Sequence, residues 1–227
     1  MILRLVLASQ SPARLTLLRN AGFAPEAIVS GVDEDAFDAT SPVELALVLA
    51  QAKARAVAER VGPGALVIGC DSVLDFDGAA LGKPVDTEDA VGRWKAMRGR
   101  EGILVTGHCL IETRAAESGS EADGGEGAGD ESAEDERGTA WRESTQAAAT
   151  LVQFADVSDA EIEAYVATGE PLLVAGAFTL DGIGGSFVES IGGDPSNVIG
   201  LSLPLLRRML GEFDIAVTDL WATSSKD

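Results

Sequence analysis

The residues able to do chemistry in this 227-residue chain fall in a few short clusters. The first is Ser9-Gln10-Ser11-Pro12-Ala13-Arg14, directly after the apolar run Ile2 to Leu7. A loop between a strand end and a helix N-terminus presents free backbone N–H groups and the positive end of the helix dipole. Ser9 and Ser11 add hydroxyls, and Arg14 falls on the first helical turn, where a guanidinium can fork onto a phosphate. An ordinary N-cap with a surface arginine fits the same letters. The glycines and lysine of a Walker loop are missing. The second cluster is Gly69-Cys70-Asp71-Ser72. A carboxylate after Leu66-Val67-Ile68 stands where α/β ligand crevices open, able to position a divalent cation or take a proton from water. A turn aspartate fits equally well. The third is Leu81-Gly82-Lys83-Pro84, a lysine beside a rigid turn. Lys53 lies on a helix face with Ala50 and Ala54, and Glu34 and Asp35 lie in a polar loop that could complete a metal site. Taken singly, each of these charges reads equally as a solvated side chain. His108, the single histidine, excludes a two-histidine metal centre and sits in a strand pattern without a nucleophile elbow. It reads as a structural contact. Cys70 and Cys109 lack zinc spacing and read as small buried apolar residues.

The elements that must position these residues follow from pattern. Ser11-Pro12 opens a helix through Leu15, Leu18 and Ala21, stopped at Gly22. Ser41-Pro42-Val43-Glu44 reads as a capping box for a helix running to about Arg60. Leu66 to Ile68, continued by Val73-Leu74, is a strand, and Asp77-Gly78 marks a hairpin turn. Thr87 to Met97 reads as helix. Ile103 to Ile111 and Ala147 to Phe154 read as paired strands. Ser158 and Glu161 make another capping box, for a helix ended by Gly169. Phe178 to Leu180 and Ser186 to Ile191 look like strands, and Leu203 to Leu210 like a closing helix. Helices and strands alternate early while strands adjoin in the middle, which implies an α/β fold with a mixed sheet.

Charge narrows the function. The chain has 17 Lys+Arg against 37 Asp+Glu, a net charge of −20. A general nucleic-acid binder needs basic surface, so that class is excluded, whereas a few cations in one cleft still suffice for a small phosphorylated substrate. Nine of the acids fall between Arg114 and Arg137, in a Gly-rich, apolar-poor stretch that reads as a disordered loop. Two cysteines exclude a disulfide scaffold, and no apolar run approaches the ~18–20 residues of a membrane span. A cytoplasmic protein is the default expectation. At ~150 residues per domain the length suits one large domain or two intimate lobes.

Seven segments in order, LASQSPARLTLL, QAKARAVA, VIGCDSVL, LGKPVD, VTGH, FADVSDAEIEAYVATGEPLLVAGAF and GGDPSNVIGLSLPLL, resemble the Maf family of nucleoside triphosphate pyrophosphatases. The resemblance implies an inosine-triphosphatase-like fold: an elongated mixed β-sheet with flanking helices and two lobes around a cleft. It places one domain over residues 1–212, with 114–143 an acidic disordered insertion and 213–227 a C-terminal tail. It implies hydrolysis between the α and β phosphates, giving monophosphate and pyrophosphate with a divalent metal, Mg²⁺ or Mn²⁺. By position, Asp71 matches the family's general base. Ser9, Ser11, Arg14, Lys53 and Lys83 match its phosphate contacts, and Glu34 matches an acidic position near the metal, shared with Asp71. A homodimer is expected by resemblance alone. Ala13 replaces the first of the family's frequent paired arginines. Ser72 is nearer the Thr of the branch resembling a dTTP/UTP enzyme, and Asp181 nearer the Glu of the branch resembling a 7-methyl-GTP enzyme, so the base stays open. Two other classes remain: a nucleotide-binding regulator of cell division without turnover, and a phosphatase releasing orthophosphate first.

Overall fold

The computed structural model describes residues 4–115, 133–134 and 139–222. In chain order the elements are β1 (Arg4–Leu7), α1 (Pro12–Asn20), β2 (Glu26–Ala27), α2 (Pro42–Val61), β3 (Ala65–Phe76), β4 (Ala79–Leu81), α3 (Thr87–Met97) and β5 (Glu101–Ala115). Then follow β6 (Ala133–Glu134), β7 (Thr139–Phe154), α4 (Asp159–Ala167), β8 (Val188–Gly192), α5 (Pro195–Ile199) and α6 (Leu203–Glu212). They form one sheet in the order β2-β1-β3-β5-β7-β6, with β4 on β3 and β8 on β7. The pairs β1–β2 and β1–β3 are parallel and the others antiparallel, as a mixed sheet requires.

Alternation along the strands sorts the core. Leu5, Leu7, Leu66, Ile68 and Leu110 face α1 and α6. Val6, Val67, Cys109 and Ile111 face α2 on the opposite side. Farther along β3, β5 and β7, a second core gathers Leu74, Trp94, Leu104, Phe154, Tyr165 and Phe178 beneath α3 and α4. Three long strands thus carry two lobes. Between them lies a polar seam of buried Thr106, Thr150 and Asn197, covered by α5.

The hydrogen bonds bear out most of the local reading. Ser11 and Ser158 cap their helices, the latter in a full capping box, and Asp77-Gly78 turns β3 into β4 with both φ angles positive. Four expectations need correction. At Ser41 only half a capping box forms, because the Glu44 carboxylate bonds Thr40 instead. Phe178 to Leu180 is not a strand: Phe178 is held by edge-on packing against Phe154. The strand expected from Ser186 begins at Val188. The acidic insertion is narrower than 114–143, since the β5–β7 ladder runs out to Ala115 and Thr139 and Trp141 is buried in the core. Residues 116–132 and 135–138, where the disordered loop was expected, lie outside the described residues, as do Ile2 and 223–227. Within the expected tail, Phe213 is buried in the core and Trp221 bridges to Phe23.

What lets α2 descend onto the sheet is a pair of strand glycines. A Cβ on Gly69 would lie 2.3 Å from the Ala50 carbonyl oxygen, and one on Gly107 would lie 2.1 Å from that of Ala46. Backbone cannot yield at those distances, so Gly107→Ala is expected to cost at least about 2–3 kcal/mol in urea unfolding. Gly92→Ala, on an open face of α3, is expected to stabilise by roughly 0.5–1 kcal/mol. A near-neutral Gly107→Ala would show that the helix does not rest on the sheet there.

Candidate active site

The site forms where the centre of the sheet has a bare edge. β1 accompanies β3 only as far as Ile68, and β4 joins the same strand from Leu74. Between them residues 69–73 face no neighbour on that side among the described residues, and groups from both sheet faces meet there. Such a break in strand pairing is where α/β sheets hold ligands.

From one face comes Lys53, one turn beyond Ala50 on α2. The two glycines bring this helix close enough for the Lys53 Nζ to reach Asp71 Oδ1 at 2.5 Å and Glu34 Oε1 at 2.6 Å. Lys53 and Asp71 are both buried. Glu34 projects from a short 3₁₀ turn capped by Asp33 and stays half exposed. Burial pushes the Asp71 carboxyl above the ordinary aspartate range, outweighing the opposing pull of Lys53 and Arg14, and Glu34 adds to the rise. Glu34 goes the other way: its partial burial is overcome by Lys53, with the charges of Lys83 and Arg14 adding to the fall. Two carboxylates that share one ammonium are thereby driven apart in acidity.

From the other face comes Arg14. Its Nε donates to the Gly200 carbonyl at 2.7 Å, Nη1 to the Cys70 carbonyl at 2.9 Å and Ser9 Oγ at 3.4 Å, and Nη2 to Ser72 Oγ at 2.9 Å. Its fork therefore grips the protein, and what it offers a ligand is charge. Ser9 Oγ also accepts from the Ser11 N–H, and Ser11 Oγ from that of Arg14. The Ser72 hydroxyl is spent on Arg14 and Thr106. Lys83 is exposed, with no hydrogen bond or ion pair among the described residues, although its charge is felt at Glu34. Asp181 is exposed before Gly182 and bonds none of these groups. Asp35 donates its N–H to the Asp33 carboxylate that caps the same turn and joins none of these groups among the described residues.

The structure thus brings Asp71, Lys53, Glu34 and Arg14 into one electrostatic group and leaves Asp181, which the sequence also put among the substrate contacts, outside it. Sequence reasoning finds the types of these residues. It misses Gly69 and Gly107, although a glycine inside a strand pattern signals close backbone approach. It also misses Thr106, which links Ser72 to the Asn197 carbonyl, and Gly200, whose φ of +116° and nearness to the Arg14 side chain favour glycine.

Among the described residues no cluster of three or more His, Cys, Asp or Glu could hold a metal. The two carboxylates that meet at Lys53 Nζ nevertheless fit Mg²⁺ or Mn²⁺, which binds through one or two carboxylates when phosphates and water complete the shell. No helix of the described residues is long and apolar enough to cross a membrane.

Fold and site together define an α/β protein with a cation-lined opening at a sheet edge. The chain belongs to the Maf-like protein family, whose model matches residues 4–213. It is similar to a nucleoside triphosphate pyrophosphatase of Streptomyces avermitilis, 54% identical over 98% of this chain and 97% of that one. It is 56% identical to one of Streptomyces coelicolor, over 96% of this chain and 95% of that one. A solved nucleoside-triphosphatase / dITP/XTP pyrophosphatase of Mycobacterium abscessus matches at TM-score 0.35 and 15% identity, over 68% of this chain and 75% of that one, too remote to carry weight.

His108 plays the structural part expected of it. It is buried, with Nδ1 against the Thr106 carbonyl at 3.0 Å, and Nε2 accepts from the Ser202 N–H at 2.8 Å, which assigns the neutral ring. Burial, seconded by Arg14, lowers its pKa from 6.5 to about 4. The unfolded chain takes up the proton first, so stability present above pH 6.5 is lost as pH falls towards about 4. The loss is on the order of 3 kcal/mol. Urea unfolding of the wild type should show this excess loss over His108→Gln across that window. Parallel curves would contradict the neutral buried ring.

Proposed function

We propose that the chain is a nucleoside triphosphate pyrophosphatase, a hydrolase that cleaves (d)NTPs, non-standard or modified ones among them, to the monophosphate and pyrophosphate. The observation that carries this reading is the buried Asp71 carboxylate, paired with Lys53 and facing Glu34 at the bare edge of β3. A triphosphate carries about four negative charges, and the charges of Arg14, Lys53 and Lys83 offset them and the charge that grows on departing pyrophosphate. Ser9 and Ser11 add hydroxyls at the N-terminus of α1.

Asp71 is the group assigned to take a proton from the attacking water. Its burial suits the task, because a carboxyl with a raised pKa is a stronger base than a solvated one. Lys53 fixes the orientation of the carboxylate and is itself buried, leaving little room for bulk water beside it. Glu34 and Asp71 would hold the divalent metal, which when bound draws charge from the phosphate oxygens. Since the protein brings two carboxylates and no more among the described residues, the substrate's phosphates and water would supply the remaining oxygens.

Asp181 is an exposed carboxylate with no hydrogen bond among the described residues, and its oxygens can accept from the donor edge of a purine or methylated guanine, while Ser72 favours a pyrimidine, so the base stays open. A panel of standard and modified triphosphates, scored separately for pyrophosphate and orthophosphate, tests that choice. Orthophosphate as first product would indicate another phosphatase class, and tight binding without product would indicate a regulator.

Asp71→Asn is expected to lower the rate of pyrophosphate release roughly 10³-fold with its cooperative thermal transition retained. In the wild type the rate is expected to fall as pH drops through the raised Asp71 pKa, because the base must be ionised. Full activity in Asp71→Asn would reject its role.

A further inference from the structure

Lys83 is the one cation of the proposed set that no other side chain holds among the described residues, yet the turn carrying it is held on several sides. Arg93 on α3 donates from Nη1 to the Gly82 carbonyl at 2.7 Å. The same guanidinium forks onto Asp89, Nε to Oδ1 at 2.9 Å and Nη2 to Oδ2 at 2.7 Å. Asp89 Oδ2 in turn accepts the Val85 N–H at 3.0 Å. The Arg93–Asp89 pair therefore grips the residue before Lys83-Pro84 and the residue after it. From the opposite side the Gly176 N–H donates to the same Gly82 carbonyl at 3.1 Å. Gly176 has a φ of +69°, and a Cβ there would press on Leu74, where β3 regains a neighbour. Next to it Ala177 is held at a φ of +59° with its carbonyl taken by the Trp94 indole, also on α3. A left-handed alanine persists only where its surroundings over-determine it.

An exposed i,i+4 ion pair on a helix contributes little to stability. This one is partly buried, and both members also bond away from their own helix, Arg93 Nη1 to the Gly82 carbonyl and Asp89 Oδ2 to the Val85 N–H, at the two ends of the lysine turn. We propose that Arg93 and Asp89 are positioning residues which hold the Gly82–Val85 turn so that the Lys83 ammonium is presented to the substrate's phosphates. The ligand class is the polyphosphate of the triphosphate substrate, so the inference rests on the function proposed above. Four rotatable bonds leave the lysine side chain free to follow the phosphates, while the clamp fixes the point from which it reaches. Arg93 touches no reacting atom and acts through Lys83.

The test is a double-mutant cycle with Arg93→Met, which keeps the apolar bulk and removes the fork, combined with Lys83→Ala. It is read by steady-state pyrophosphate release and by calorimetric binding of a triphosphate whose α–β bridge is a methylene. Arg93→Met is expected to raise KM and weaken analogue binding roughly five- to tenfold, with kcat changed less than about twofold, and to add almost nothing once Lys83 is gone. Arg93→Lys, which can reach Gly82 or Asp89 but not fork to both, is expected to recover part of the loss. Amide exchange at Gly176 and Val85 should quicken in Arg93→Met while the global unfolding transition persists. Equal losses with and without Lys83, or unchanged exchange, would overturn the proposal. A wild type that binds the analogue with the same coupling but releases no pyrophosphate would overturn the hydrolase reading and leave the clamp standing. A wild type that does not bind the analogue would overturn both.

Discussion

A buried carboxylate beside a buried ammonium is the interaction on which the rest of this molecule turns. Neither Lys53 nor Asp71 could be buried alone, because the charged forms would lose their hydration without return. Paired, each offsets the hydration the other loses, and removing one partner from such a pair costs about 3–5 kcal/mol. The pair exists only because α2 lies against the sheet at Gly69 and Gly107. Two residues without side chains thus decide the position of one with a long side chain. The arrangement stabilises the fold less than an apolar replacement of equal volume often would. Its retention at an open sheet edge makes sense as chemistry.

The second organising feature is the division of labour between the faces of β3. Alternation sends Asp71 towards α2 and Ser72 towards the seam between the lobes, where Thr106 and Arg14 take its hydroxyl. Adjacent residues in the chain therefore serve different assemblies. Arg14 joins them: its guanidinium is fastened to carbonyls of Cys70 and Gly200, and its charge reaches both Asp71 and Glu34. By holding the turn after α5 to the edge of β3, Arg14 fixes geometry as well as charge. The charge of Lys83, on the turn after β4, is felt at Glu34, and the two lobes are continuous through β3, β5 and β7.

Much of the fold could be read in the sequence because its signals are local. Ser11-Pro12, Ser158 with Glu161, and Asp77-Gly78 each satisfy their own neighbourhood, and the structure keeps all three. Phe178 to Leu180 misled because apolar letters report burial, and here the burial is achieved by aromatic packing without a strand ladder. The lengths of β5 and β7 were equally hidden, since a ladder extends through backbone groups that every residue shares. In the site, the types of Asp71, Lys53, Glu34 and Arg14 were legible, and family resemblance put them in order. Their partners were not. Two of the four acceptors of Arg14 are backbone carbonyls, one of them 186 positions away, and no side-chain code announces those two.

The central claim is that burial and Lys53 together set the charge state of Asp71. The direct test is a carbon-13 titration of the Asp71 carboxyl in the ligand-free protein, repeated in Lys53→Met. The account predicts an apparent pKa above the ordinary value of 3.8 in the wild type, and a further rise when the ammonium is removed. A carboxyl that titrates at or below that value, unmoved by the loss of Lys53, would contradict it.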